Sequence, residues 1–149
     1  MHLQKKLTIT ELKRYMSIAY SVAKDGITKG SVPVGAIVVK DGEIIAKAHN
    51  HPQNPIKHAE IIALNSAIKI CGPKLTECAM FVTLEPCIMC TAAALCAEIG
   101  MIYFGAYSEN GGIDHGPRLL DRFSVTKFIG GLRETMCSAL VKEFFAKKR

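Results

Sequence analysis

The sequence predicts an α/β protein, a three-layer αβα sandwich around a mixed sheet of about five strands. Three observations predict it. Short apolar runs of strand length alternate with segments of helical periodicity along the chain. Asp41-Gly42 separates two of those runs with a tight-turn signal, which makes their pairing antiparallel. After residue 78 the order strand, helix, strand recurs, and such a crossover makes the pairing there parallel.

The elements follow in order. In "TELKRYMSIAYSVAKDG", Leu12, Tyr15, Met16, Ala19, Val22 and Ala23 recur at helical spacing, with Thr10 as the expected N-cap. "VPVGAIVV" reads as a buried strand and "EIIAKAHN" as its hairpin partner. Pro52 and Pro55 keep "HPQNPIK" irregular. "HAEIIALNSAIKIC" reads as a helix with Ile62, Leu64, Ile68 and Ile70 on its apolar side, stopped by Gly72-Pro73. "AMFVTL" is the third strand, "CIMCTAAALCAEI" a second buried helix and "MIYFGAY" the fourth strand. Residues 108–122 read as a loop with a short helical piece, and "SVTKFI" as a weak fifth strand. The last helix carries Leu132, Met136, Leu140 and Phe144 in an i, i+4 row.

A chain of 149 residues, 49% of them hydrophobic, suits one domain with one core, expected over residues 1–149. No apolar run approaches the roughly 18–20 residues needed to span a bilayer, so no membrane association is expected. The N-terminal lysines have no apolar stretch behind them, which argues against a secretory signal and for a cytoplasmic protein. In a reducing compartment the six cysteines read as thiols or metal ligands rather than disulfides. The formal charge of +6, from 19 Lys+Arg against 13 Asp+Glu, suits a polyanionic partner such as nucleic acid. It equally suits an enzyme that is simply basic.

The chemistry concentrates in "LEPCIMC" and "HAE". Residues three apart on a helix share a face, so Cys87 and Cys90 project together from a helix start, behind Pro86 at a position proline tolerates. The positive end of the helix dipole favours thiolate there, and two converging thiolates suit a soft divalent cation, zinc by default. His58 is the candidate third ligand. It shares the site with Glu60 only if the site lies beyond the helix end, because residues two apart point away from each other. Three protein ligands leave a fourth position open, the mark of a catalytic zinc. Glu60, beside the metal and not bound to it, is then placed to move protons during hydrolysis. Alone, C-x-x-C is weak and H-A-E weaker. The joint pattern, in this order and with a strand between, carries the reading.

H-x-E…P-C-x-x-C is a signature of zinc-dependent nucleobase deaminases. From about residue 12 onward the chain resembles the cytidine/deoxycytidylate deaminase superfamily, and most of all its bacterial tRNA-specific adenosine deaminase branch. The motifs are "VPVGAIVV", "HNHP", "HAEIIAL", "VTLEPCIMC", "IYFGA" and the basic end "FFAKKR". The resemblance implies the cytidine deaminase-like fold and one Zn2+ per chain, held by His58, Cys87 and Cys90. It implies hydrolytic conversion of adenosine to inosine at the wobble position of a tRNA anticodon arm. Water attacks purine C6, and Glu60 protonates the adjacent ring nitrogen and then the departing ammonia. It also implies a homodimer with RNA contacted across the interface, and a base contact from Asn50, which the residues alone equally allow as a turn former.

The chain departs from that branch in two places. "HPQNPIK" is shorter than the usual loop, and Tyr107-Ser108 stands where an Arg-Asp pair is common. Both departures keep open deamination of a free nucleobase or nucleoside, guanine or cytosine type. A non-catalytic, zinc-stabilised RNA-binding subunit is the third reading, and it has no use for Glu60. Cys71, Cys78, Cys96 and Cys137 read as buried thiols. His115 reads as a surface residue, His49 and His51 flank Asn50, and Lys147, Lys148 and Arg149 suit either phosphate or a solvated helix end.

Overall fold

The computed structural model describes residues 6–109, 111 and 125–148. The expected helical piece in the 108–122 loop, His115 and Arg149 lie outside the described residues.

The sheet has five strands in the order β2-β1-β3-β4-β5: β1 (Gly35–Lys40), β2 (Glu43–His49), β3 (Cys78–Leu84), β4 (Met101–Ala106) and β5 (Lys127–Ile129). β1 pairs antiparallel with β2 and β3, while β3–β4 and β4–β5 are parallel. Helices α1 (Ile9–Ile27) and α4 (Glu134–Ala146) cover one face, and α2 (Ala59–Cys71) and α3 (Ile88–Cys96) the other. This is the three-layer mixed sandwich that the sequence predicts. β1 and β3, buried on both faces, are the near-continuous apolar runs that such a position requires. The hairpin turn forms because Asp41 and Gly42 accept φ of 50° and 79°, as a two-residue turn demands.

Several local details differ from expectation. α1 starts two residues early. Thr8 is its N-cap, with its hydroxyl accepting from the Glu11 N–H at 3.1 Å and Glu11 reaching back in a capping box; Thr10 lies inside the helix. In α2 the buried side is Ala59, Ala63, Leu64 and Ala67, and Ile70 is 63% exposed. Leu64 is buried as expected, and Ile62 and Ile68 pack partly buried against the core. In α4, Cys137 and Leu140 are buried, while Met136 and Phe144 are only half-buried; Leu132, also half-buried, lies before the helix, whose N-cap is Arg133. Cys78 and Cys137 are buried as expected, but Cys71 is half-buried and Cys96 exposed. The fifth strand is confined to 127–129.

The topology fixes where chemistry can gather. β2 and β3 both run opposite to β1, and β4 runs with β3, so the C-terminal ends of β2, β3 and β4 share one edge of the sheet. α2 follows β2 and α3 follows β3, so both helices begin at that edge.

Candidate active site

His58 and Cys87 are the N-cap residues of α2 and α3, each with extended backbone and neither using its side chain as a cap. N-cap side chains ordinarily satisfy the free N–H groups of the first turn. At α2 that task passes in part to Asn50, whose Oδ1 accepts from the Ala59 N–H at 2.8 Å. The imidazole of His58 is thereby free to face α3. Its Nδ1 lies 3.6 Å from Cys87 Sγ and 3.4 Å from Cys90 Sγ. All three atoms lie within 4.8 Å of one another. With Zn–S near 2.3 Å and Zn–N near 2.0–2.1 Å, neighbouring N and S ligands of a tetrahedral site sit about 3.5 Å apart. The donor set and its spacing fit zinc. It is the one such cluster of metal-ligating side chains among the described residues.

Glu60, in the first turn of α2, is 3% exposed. Its carboxylate lies against the Cys90 thiol, and its Oε1 has no hydrogen-bond partner. Burial raises its pKa above the usual carboxylate range. An unpartnered buried carboxylate oxygen is costly in a protein interior, which marks a group held ready for an external partner. Without a cation, the thiols share protons unequally. Cys87, receiving a hydrogen bond from Cys90, is lowered to about 5, and Cys90 is raised. The structure thus brings His58, Glu60, Cys87 and Cys90 to one place.

Asn50 lies at the same edge. Ser31 Oγ donates to its backbone oxygen at 2.6 Å, and His49 Nδ1 lies 3.0 Å from that oxygen. His51 Nδ1 accepts from the Gln53 N–H within the connecting loop. Sequence reasoning missed two residues here, Ser31 and the buried Glu85. The signal for Glu85 was a carboxylate at the inward end of an apolar strand, directly before Pro86-Cys87. A larger apolar cavity of about 580 Å³, lined in part by Leu12, Val39 and Tyr103, lies on the α1–α4 face. It contains none of the metal-ligating cluster, so the chemistry places the site at the strand ends and not in this cavity.

A family model for MafB19-like deaminases matches residues 10–149. The chain belongs to this deaminase family. The deaminase is similar to the tRNA-specific adenosine deaminase of Bacillus subtilis (strain 168), at 36% identity covering 95% of this chain and 92% of that protein. It is also similar to the tRNA-specific adenosine deaminase of Aquifex aeolicus (strain VF5), at 39% identity covering 91% of this chain and 94% of that one. Among solved structures, one from a study of A-to-I editing by tRNA:A34 deaminases at the wobble position superposes with a TM-score of 0.78. It shares 30% identity with the deaminase and covers 85% of this chain and 98% of that one. No described helix is long and apolar enough to cross a membrane.

Proposed function

We propose that residues 1–149 act as one zinc-dependent deaminase domain that converts adenosine to inosine at the wobble position of a tRNA anticodon arm. The observation that carries this reading is the meeting of His58 Nδ1 and two cysteine sulfurs beside the unpartnered Glu60 Oε1. The substrate rests on the relatives, named tRNA-specific adenosine deaminases, that are 36% and 39% identical along almost the whole chain.

His58, Cys87 and Cys90 hold one Zn2+ per chain. Bound there, zinc supplies the Lewis acidity that makes water ionisable near neutral pH. Glu60 Oε1 takes a proton from the attacking water and passes it to the ring nitrogen beside C6; it then takes the proton of the new C6 hydroxyl and passes it to the amine, which leaves as the C6–N bond breaks and the C6 carbonyl forms. Water and adenosine become inosine and ammonia. Asn50 contacts the base. Its Oδ1 is committed to Ala59, which leaves the amide N–H groups to donate to an acceptor on the purine. The basic balance of the chain suits the RNA backbone. We infer a cytoplasmic homodimer, in keeping with the exposed isoleucines Ile70 and Ile88 on the α2–α3 layer.

The test is sequencing of a tRNA whose anticodon begins with A after incubation with zinc-loaded protein. Wild type yields inosine. Glu60→Gln, with zinc content unchanged, loses roughly 100- to 10,000-fold in rate, the usual worth of a positioned proton carrier. Ammonia from a guanine or cytosine nucleoside panel, with no inosine in tRNA, would instead support the free-base reading that Tyr107-Ser108 motivates. Retained activity in Glu60→Gln would remove the carboxylate from the chemistry.

A further inference from the structure

Glu85 takes no part in the proton and metal chemistry above, yet it is a carboxylate only 6% exposed, one residue beyond β3 and two before Cys87. Its backbone N–H donates to the Ala106 oxygen at 2.8 Å, extending the β3–β4 pairing past the end of the sheet. Its Oε1 accepts from the Ser108 N–H at 3.2 Å. The carboxylate also lies against Gly111, where an added Cβ would collide with Oε2 and Cδ of Glu85. Gly111 in turn donates its N–H to the Ser108 oxygen at 3.0 Å. One buried side chain therefore seats two points of the segment leaving β4, at the edge where α2 and α3 present the metal ligands.

We propose that Glu85 is a positioning residue that sets the wall of the substrate pocket formed by residues 107–109 and Gly111, and so governs how tightly the nucleic-acid substrate is held. The inference rests on the reading of the site as a tRNA adenosine deaminase. The physical reason is that a loop free of sheet pairing keeps its shape only where a buried partner holds its backbone, and a carboxylate accepts backbone N–H groups strongly. Glycine at 111 lets the backbone come into contact with that carboxylate. Tyr107, 59% exposed and set edge-on to Phe104, is carried by the same segment.

The experiment compares wild type, Glu85→Ala, Glu85→Gln and Gly111→Ala, all zinc-loaded. In Glu85→Ala, KM for the tRNA rises roughly tenfold while kcat stays within about twofold, as expected when a hydrogen bond to a charged group is lost from a binding wall. Gly111→Ala moves KM the same way through steric conflict and serves if Glu85→Ala does not fold. Glu85→Gln, which keeps an acceptor oxygen, stays near wild type. Hydrogen–deuterium exchange rises in residues 107–111 of Glu85→Ala and not in α2 or α3, a readout that needs no activity. Unchanged exchange in that segment, or a loss of zinc with exchange rising through α2 and α3, overturns the proposal. Absence of inosine from wild type itself would defeat the tRNA reading and leave the exchange result to judge Glu85 alone.

Discussion

A helix N-cap is ordinarily occupied by a small polar residue that turns back on its own helix. Here two such positions hold His58 and Cys87, and both side chains turn outward to meet each other. The arrangement has a chemical consequence at Cys87. With its pKa lowered to about 5 by the Cys90 hydrogen bond, the metal-free thiol is ionised at neutral pH and nucleophilic. Chelation of the metal at pH 7 should therefore let iodoacetamide modify Cys87 quickly, and added zinc should protect it; peptide mass spectrometry reads both. Cys137 behaves oppositely. Burial pushes its thiol up to about 11, with Arg133 drawing it partly back. A folded-state pKa raised above an unfolded value of about 8.5 gives stability that is complete below that pH and is lost as pH rises through the folded value. The thermal unfolding midpoint should thus fall between about pH 8.5 and 11, and Cys137→Ala should lessen the drop. His58, Glu60, Cys87 and Cys90 were legible as a group because the joint pattern, in this order and with a strand between, is rare although each piece alone is ordinary. Ser31 and Glu85 were not, since a serine in a loop and a glutamate before a proline are ordinary until their partners are known.

At the scale of elements, helix starts carry most of the local information. α1 is held by the Thr8–Glu11 capping box, whose partners are local in sequence, Thr8 exposed and Glu11 half-buried. Thr8→Ala should destabilise the protein by about 1 kcal/mol and lower the midpoint by roughly 2–4 °C. Thr10→Ala, inside the helix, should change little, and differential scanning calorimetry separates the two. Thr8 and Thr10 are both chemically competent caps, and the residue that pairs with a glutamate three positions on is the one the helix uses. Strands β1, β3 and β4 were readable from apolar runs alone, because each is buried in the sheet's interior. Helix α2 was harder to read. Of its expected apolar side, Leu64 is buried and Ile62 and Ile68 pack partly buried against the core, but Ile70 faces out, and Ala59, Ala63 and Ala67 complete the buried face.

At the scale of the molecule, the N-termini of α2 and α3 bring the donor atoms of His58, Cys87 and Cys90 within 4.8 Å of one another, so a cation bound there would tie one side of the sandwich together. A ligand that binds only the folded state stabilises it by about 2.7 kcal/mol at a hundred times its Kd. Zinc should therefore raise the unfolding midpoint of wild type by several degrees, and His58→Ala should abolish that shift while keeping its metal-free midpoint. Calorimetry with and without zinc checks both. The strand periods, the Asp41-Gly42 turn, the crossover after residue 78 and the metal-ligand residue types were all decided by local chemistry, because backbone preference and burial act over a few residues. What linear order left undecided was contact between groups 29 residues apart, as His58 and Cys87 are. Only the common direction of β2, β3 and β4 brings those strand ends to one edge, and with them His58, Cys87, Cys90, Asn50 and the loop that Glu85 contacts. Strand order, and with it the antiparallel pairing of β1 with β3, is a property of the assembled sheet, where each hydrogen-bonded neighbour constrains the next, and no single segment contains it.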